Sequence, residues 1–287
     1  MTTAGPLPPE LRTRVLAAAV RERSAGRPTA EPAPISAADA FDRAADALAA
    51  VLAGLDDGQW RCPALRGLDV LGLIGHLTGV ERDVQRALAG DPDVACADHV
   101  GSTQGAAEAA AGRSPVEART AWRAAVETTR RSAAAQDPAR LVAVHGMRLP
   151  LATLLVVRAF ELWTHENDIR TATGRPPSAP DAAVLALMTE LAVGFLPVGM
   201  ARIGAGSERV DLHLVLTGPG GGTWDVPLGA EDGDLQTPAD VMVVADACRF
   251  CRLVADRIEP AALGAFVRGD AARVDLVLRA AAALALD

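Results

Sequence analysis

Residues 158–170 of the chain read Arg158-Ala-Phe-Glu161-Leu-Trp163-Thr-His165-Glu-Asn-Asp168-Ile-Arg170. This apolar, helix-forming stretch places Glu161 and His165 four residues apart, which is about one helical turn. The carboxylate and the imidazole therefore leave the same face of the helix, one above the other. Donors that converge from a stiff support suit a divalent metal ion. The stretch predicts a metal site inside a helical fold.

A third donor is available in Gly75-His76-Leu77, where a histidine again lies within a strongly apolar helical pattern. We interpret His76, Glu161 and His165 as a two-histidine, one-carboxylate site that leaves room for a substrate or a thiol. The spacing alone has a simpler explanation, because a Glu and a His four residues apart are more often a solvated pair or an interior hydrogen bond.

The composition limits the class of protein. Of the 287 residues, 50% are apolar and 22% are charged, which is typical of a globular protein with one large or two modest domains. The net charge of −8 argues against a nucleic-acid partner. No apolar run is long enough to cross a bilayer, and the N-terminus lacks the pattern of a signal peptide. We therefore expect a soluble, cytoplasmic protein with no membrane partner; its oligomeric state is left open.

Two residue types are missing, and a third is rare. The chain contains neither lysine nor tyrosine, which excludes lysine Schiff-base chemistry and tyrosine acid catalysis. The four cysteines do not suggest a disulfide framework. Cys248-Arg-Phe-Cys251 has the spacing of a redox motif but lies in an apolar helical run, so we predict that it packs in the core.

The chain is predicted to divide into three parts. Residues 1–35 form an N-terminal arm and linker, with a short helix from Pro9 to Arg23. Residues 36–177 form a bundle of four main helices, and residues 181–287 form a smaller α+β domain, so the fold class is α+β. The predicted bundle helices span residues 36–55, 70–88, 106–136 (broken near Ser114-Pro115) and 151–173, with a short extended segment at residues 141–150.

The predicted second domain begins with a helix at residues 181–197. Alternating residues 209–216 and 224–226 predict a hairpin, with the glycine run at residues 219–222 as its turn. That run could be mistaken for a phosphate-binding loop, but no lysine follows it and it lies between two strands. Residues 240–258 and 271–286 have helical patterns, with Val241-Met-Val-Val a possible strand entry.

The chain resembles the mycothiol-dependent maleylpyruvate isomerase family. The resemblance rests on Trp60 followed by Val70-Leu-Gly-Leu-Ile-Gly-His76-Leu, and on the stretch from Arg158 to Ile169. It implies a DinB-like metal-binding bundle in which His76, Glu161 and His165 hold zinc. A weaker likeness to the family's sterol-carrier-like C-terminal domain covers residues 244–257 and 268–270. One departure is Gly67-Leu68-Asp69, where many relatives have a glycine-tryptophan pair, so contacts of that loop are not carried over.

The resemblance implies Zn²⁺, or another divalent metal, as cofactor and mycothiol as thiol cosubstrate. Three protein ligands leave a position at which a thiol would bind as thiolate and act on a small electrophilic substrate such as maleylpyruvate. The chemistry would be cis–trans isomerisation or S-transfer. Two alternatives are a non-catalytic protein that binds a metal or an apolar ligand, and a regulatory or stress-response member of the bundle superfamily.

Supporting roles for other residues are open. Asp168 could orient the His165 imidazole, or it could cap or pair at the surface. Arg257 could hold a substrate carboxylate, although a favourable interaction with its own helix end is the simpler reading. For His145 we expect a loop hydrogen bond, and His99 and His213 are assigned no role.

Overall fold

The computed structural model describes residues 32–229 and 239–285, so the helix predicted at residues 9–23 lies outside the described residues. The described chain separates into two compact units, residues 33–191 and residues 192–285. The proline-rich segment at which we placed the domain boundary lies earlier, at residues 176–180. The architecture is α+β, as predicted.

Five helices and two small hairpins form most of the first unit. The helices are α1 (Ala37–Ala53), α2 (Val70–Leu88), α3 (His99–Ala111), α4 (Pro115–Ala134) and α5 (Leu151–Ala172). The hairpins are β1–β2 (Pro63–Leu65 and Leu68–Asp69) and β3–β4 (Leu141–Val144 and Met147–Pro150). Helix α2 packs against both α3 and α4, and α1 packs against α5. The four long helices match the predicted bundle. The region predicted at residues 106–136 is divided near Ser114-Pro115 as expected, into α3 and α4, but α3 starts seven residues earlier than expected, at His99.

Side-chain caps fix where the helices start. Ser36 and Ser114 each form a capping box with the carboxylate three residues on, which satisfies backbone N–H groups in the first turn of α1 and α4. Asp69 caps α2 by accepting from Gly72 N at 2.8 Å, and Asp98 caps α3 by accepting from Gly101 N at 2.6 Å. The cap at Asp98 sets His99 as the first residue of α3.

Helices α2 and α3 approach closely because α2 carries glycines at the contact. A Cβ atom added at Gly75 would lie 2.6 Å from the carbonyl oxygen of Ala106 and 2.6 Å from the Ala110 Cβ. A Cβ at Gly79 would lie 3.0 Å from the Ala106 Cβ. Only a residue without a side chain fits the first position, and this contact brings the start of α3 next to His76.

Helix α5 is buried on nearly all sides. Its buried residues include Phe160, Leu162, Trp163 and His165, and they do not follow one stripe of the helix. Trp163 is in the core, 3% exposed, and its Nε1 donates to the Ser178 carbonyl at 3.1 Å. A helix enclosed in this way carries its polar side chains into the core of the unit.

The second unit is built on a four-stranded sheet. The strands are β5 (Val210–Thr217), β6 (Thr223–Leu228), β7 (Val241–Asp246) and β8 (Phe266–Gly269), in the order β6-β5-β7-β8. Its helices are α7 (Leu196–Arg202), α8 (Ala247–Val254) and α9 (Ala271–Ala282), while α6 (Ala182–Gly194) spans the division between the units. Strands β5 and β6 form the predicted hairpin, and β7 runs parallel to β5.

The helical pattern predicted for residues 240–258 holds only for the second half, and the possible strand entry at Val241-Met-Val-Val is confirmed. The first part is the central strand β7, buried at four of its six positions, and only the second part is the helix α8. Cys251 lies in α8 with no solvent exposure, and burial raises the pKa of its thiol well above the usual value. Burial also raises the pKa of Cys248. Both findings agree with core packing.

Among the described residues, no single helix has the length and apolar composition needed to cross a membrane. The bent pair of α6 and α7 meets that test only when the two are taken together.

Candidate metal centre

Three histidine side chains surround one carboxylate oxygen inside the helical unit. The distances from Glu161 Oε1 are 3.5 Å to His76 Nε2, 3.4 Å to His99 Nε2 and 3.9 Å to His165 Nε2. Donor atoms of His76, Glu161 and His165 all lie within 4.8 Å of one another. Each of these four side chains is at most 9% exposed. Residues from α2, α3 and α5 thus converge on one buried point.

Hydrogen bonds at the far side of two imidazoles decide which nitrogen carries the proton. His165 Nδ1 lies 2.8 Å from Asp168 Oδ2, so this nitrogen donates to the carboxylate. His76 Nδ1 lies 2.7 Å from Thr103 Oγ1, whose hydroxyl donates to the carbonyl of His99 at 3.0 Å and so accepts from His76. In a neutral imidazole the other nitrogen then has no proton. His76 and His165 therefore direct Nε2 lone pairs at Glu161.

The third imidazole, that of His99, is held by two successive hydrogen bonds through His145 to Asp83. His145 Nε2 lies 3.0 Å from Asp83 Oδ2, and His145 Nδ1 lies 3.0 Å from His99 Nδ1. Burial opposes ionisation of Asp83, but hydrogen bonds from His145 and Ser102 outweigh it and lower the pKa of this carboxyl below its ordinary value. An ionised Asp83 accepts from His145 Nε2, which leaves His145 Nδ1 as the acceptor for His99 Nδ1. The Nε2 lone pair of His99 then also faces Glu161.

The second oxygen of Glu161 is fixed by a buried arginine. Arg158 donates through Nη1 to Glu161 Oε2 and through Nη2 to Glu81 Oε1, the latter at 2.8 Å. Arg158 is 1% exposed and Glu81 is fully buried. Because Oε2 is held in this way, Oε1 is the oxygen that faces the three imidazoles.

This arrangement fits a cation. Within the described residues, the buried atoms Glu161 Oε1 and His165 Nε2 have no hydrogen-bond partner. Lone pairs that point at one another repel, and buried polar atoms without partners are costly. Neighbouring donors of a tetrahedral zinc ion are about 3.4 Å apart, given zinc–ligand distances of about 2.0–2.1 Å. The distances from Glu161 Oε1 to His99 and His76 are close to that value, and the distance to His165 is 3.9 Å, so nitrogen and oxygen donors suited to zinc lie close together.

A pocket leads to the donors from outside the helical unit. It encloses about 470 Å³, part of it open to solvent, and its walls include His76, His165 and Thr103. Arg66 and Gln104 also line it, and both are exposed. Arg66 lies in the turn between β1 and β2 with a positive φ of 49°. A small molecule in this pocket would contact two of the imidazoles and a positive charge.

The structure distributes the residues selected from the sequence as follows. It brings His76, Glu161 and His165 together, and it places Asp168 in the orienting position behind His165. Arg257 lies in the second unit, where its Nη1 donates to the Ala255 carbonyl at 2.8 Å, an interaction expected of an arginine at its own helix end.

Of the remaining histidines, the sequence prediction was wrong for one, His99. His213 pairs with Asp225 on the sheet at 2.6 Å, away from any described donor cluster. His145 makes the expected hydrogen bonds of a loop residue, but one of them is to His99. His99, to which sequence reasoning gave no role, contacts the centre directly. The Asp98 cap before His99 was the one available signal that a helix begins there.

These observations define a helical bundle with a buried nitrogen-and-oxygen donor set, and comparison with known proteins shows which domain family the bundle is similar to. Residues 41–170 match the family model described as the mycothiol maleylpyruvate isomerase N-terminal domain. The match covers most of the helical unit and confirms the resemblance seen in the sequence.

Solved structures extend the likeness to the fold of both units. The chain is similar to the crystal structure of the mycothiol-dependent maleylpyruvate isomerase, with 16% identity and a TM-score of 0.54, over 77% of this chain and 88% of that chain. A histidine-to-alanine mutant of that isomerase matches at 15% identity with the same TM-score and coverage. No curated protein matches the sequence. At these identities the structures establish the fold alone.

Proposed function

We propose that this protein is a metal-dependent enzyme that uses mycothiol to isomerise a small electrophilic substrate such as maleylpyruvate, or that transfers the thiol itself to such a substrate. The observation that carries the proposal is the convergence of His76, Glu161 and His165, of which the two histidines line a pocket. The family of the helical unit supports mycothiol as the thiol. The metal, which we propose to be zinc, fits the two nitrogen donors and one oxygen donor.

Each residue of the site has a distinct task in this proposal. His76, Glu161 and His165 would hold the metal, and Asp168 and Thr103 keep the two imidazoles in the tautomer that binds it. Zinc when bound would favour the thiolate form of a thiol at neutral pH. Arg66 provides the positive charge that a substrate carboxylate requires. Arg257 remains a second proposed carboxylate partner.

Both reactions follow from a thiolate nucleophile. In isomerisation the thiolate sulfur adds to an unsaturated carbon, so a C–S bond forms, the C=C bond becomes single and its electron pair moves onto the conjugated carbonyl as an enolate. After rotation the C–S bond breaks, the thiolate leaves and the double bond returns in the trans geometry. In S-transfer the C–S bond stays and another group leaves with the electron pair. The pocket lies beside His76 and His165, where either substrate would meet the sulfur.

Metal analysis of purified variants tests the first half of the proposal. Wild-type protein is expected to contain about one zinc per chain, and His165→Ala is expected to lose it while keeping its far-ultraviolet circular dichroism. His213→Ala is the matched control, because it removes a histidine from the sheet and should keep the metal. Unchanged zinc in His165→Ala would remove the site.

Turnover tests the second half. Metal-loaded protein should consume maleylpyruvate, or another small unsaturated electrophile, only when mycothiol is present. A specific observation favours the non-catalytic alternative: His99 offers a fourth protein donor 3.4 Å from Glu161, and structural zinc sites have four protein ligands. Stoichiometric zinc without thiol-dependent turnover would support that alternative. A carrier of apolar ligands would instead bind lipid-like probes whether or not metal is present.

A further inference from the structure

We propose that His99 is a fourth protein ligand of the metal, so that the thiol-free centre is a three-histidine, one-glutamate site. The inference rests on the metal binding in the proposed function and adds a ligand from a third helix, α3. It makes His99 a metal ligand, with His145 hydrogen-bonded to His99 and Asp83 hydrogen-bonded to His145. His145 and Asp83 are positioning residues.

His99 lies as close to the shared carboxylate oxygen as His76 does. Its Nε2 is 3.4 Å from Glu161 Oε1, against 3.5 Å for His76. Its ring centroid lies 5.2 Å from that of His76, with the planes at 87°, and the corresponding centroid distance between His76 and His165 is 5.5 Å. Two imidazoles on one tetrahedral zinc have centroids about 5.2 Å apart, from the same zinc–nitrogen distance of about 2.05 Å.

Hydrogen bonds fix the orientation of the His99 imidazole. The chain Asp83–His145–His99 ends with a proton on His99 Nδ1, so the Nε2 lone pair points at the carboxylate oxygen. Carboxylate–histidine–metal arrangements use such an outer acceptor to fix the tautomer and the ring plane of a ligand. Here the His145 imidazole, which is 3% exposed, lies between the Asp83 carboxylate and His99 and passes the hydrogen bond on to His99.

The backbone around His99 is also fixed. Asp98 caps α3 at its first turn, and the glycine contact at Gly75 holds α3 against α2. Thr103 links the two histidines, because its hydroxyl accepts from His76 and donates to the His99 carbonyl. A shift of His99 would therefore disturb the partner of His76.

A fourth protein ligand is compatible with the proposed reaction. Zinc in some catalytic sites expands to five ligands in the transition state. The thiol would then enter from the pocket beside His76 and His165, which leaves His99 in place.

Metal affinity, measured without turnover, provides the test. The variants are His99→Ala and His99→Gln, with His165→Ala as the positive control and His213→Ala as the matched negative control. Zinc dissociation constants are measured by competition with a chromophoric chelator, and the visible spectrum of the cobalt-loaded protein reports the number and type of ligands. Circular dichroism and thermal melting of the metal-free proteins establish that each variant folds.

If His99 is a ligand, both of its variants raise the zinc Kd by about 100-fold or more, since even outer partners contribute about 10- to 100-fold. The cobalt spectrum changes in band position and intensity, and added imidazole restores both the affinity and the spectrum of His99→Ala. A Kd within about threefold of wild type with an unchanged cobalt spectrum, while His165→Ala loses metal, overturns the inference and leaves the proposed function standing. If wild type itself binds no metal, both fall.

His145→Asn tests the positioning chain separately. Asparagine tolerates the positive φ of 50° at this turn, but its short side chain cannot reach both Asp83 and His99. We expect a zinc Kd raised by about 10- to 100-fold, together with a cobalt spectrum that still has four protein ligands. An affinity equal to that of wild type would remove His145 and Asp83 from the account, but would leave His99 as a ligand.

Discussion

Substitution of Gly75 by alanine tests the helix contact on which the centre depends. The new Cβ would lie 2.6 Å from the Ala106 carbonyl oxygen, where ordinary contacts begin at 3.4 Å, so α3 must move away from α2 by about 0.8 Å. Overpacking of this kind costs about 1–3 kcal/mol. The change also replaces a helix-interior glycine by alanine, and this replacement alone raises the stability of the helix by about 0.8–1.0 kcal/mol.

Gly105→Ala separates these two effects. Gly105 lies on the exposed side of α3, and a Cβ there meets nothing within 4 Å, so this variant has the gain in helix propensity without the clash. The difference in unfolding free energy between the two variants is therefore the overpacking cost, about 1–3 kcal/mol in favour of Gly105→Ala. Urea unfolding of metal-free protein, followed by tryptophan fluorescence, measures it, because metal binding would add its own stabilisation. Variants that agree within about 0.5 kcal/mol would refute the close contact.

Three further predictions concern buried groups. Arg158→Met should lower the free energy of unfolding in urea by about 3–5 kcal/mol, because it leaves the fully buried Glu81 without its cation. Adding Glu81→Leu should recover part of that loss. A free energy of unfolding of Arg158→Met within about 1 kcal/mol of wild type would contradict this prediction. In the native protein a thiol reagent should label Cys96, which is exposed, and spare Cys251 until denaturant is added; equal labelling rates would contradict the burial of Cys251. The lowered pKa of Asp83 means that its ionised form stabilises the folded state above its unfolded pKa of about 3.9, and that this contribution is lost as the pH falls through the lower folded pKa. The deficit of Asp83→Asn in unfolding free energy should therefore shrink as the pH falls from about 6 to 3, and a deficit that grows would reverse the sign of the argument.

The part of the site that lies on a single helix could be predicted from the sequence alone. Glu161 and His165 are related by a helical turn, so their proximity follows from local geometry. His76 was identified because it interrupts an apolar helical pattern. That Glu161 turns one oxygen toward the imidazoles was beyond prediction, since it depends on Arg158 and on Glu81, which is far away in the chain.

His99 shows why the remainder was missed. Helix α3 is rich in alanine and glycine, so it lacks the apolar stripe by which helices are recognised, and we placed its start at Ala106. The residues that aim His99 are Asp83 and His145, separated from each other by 62 positions. Strand β7 was predicted only as a possible strand entry for a related reason: Val241-Met-Val-Val is a largely buried apolar run, and such runs have no alternation to distinguish strand from helix.

The donors around Glu161 come from segments separated by most of the helical unit, with His76 at one extreme and His165 at the other. An ion held there would act as a crosslink that closes a long loop of chain, and such crosslinks stabilise by restricting the unfolded ensemble. Removal of the ion should then loosen α2, α3 and α5 together, as seen by faster amide hydrogen exchange in those helices, while the sheet of the other unit exchanges as before. Metal supply would in this way set how long the protein survives proteolysis as well as whether it can act.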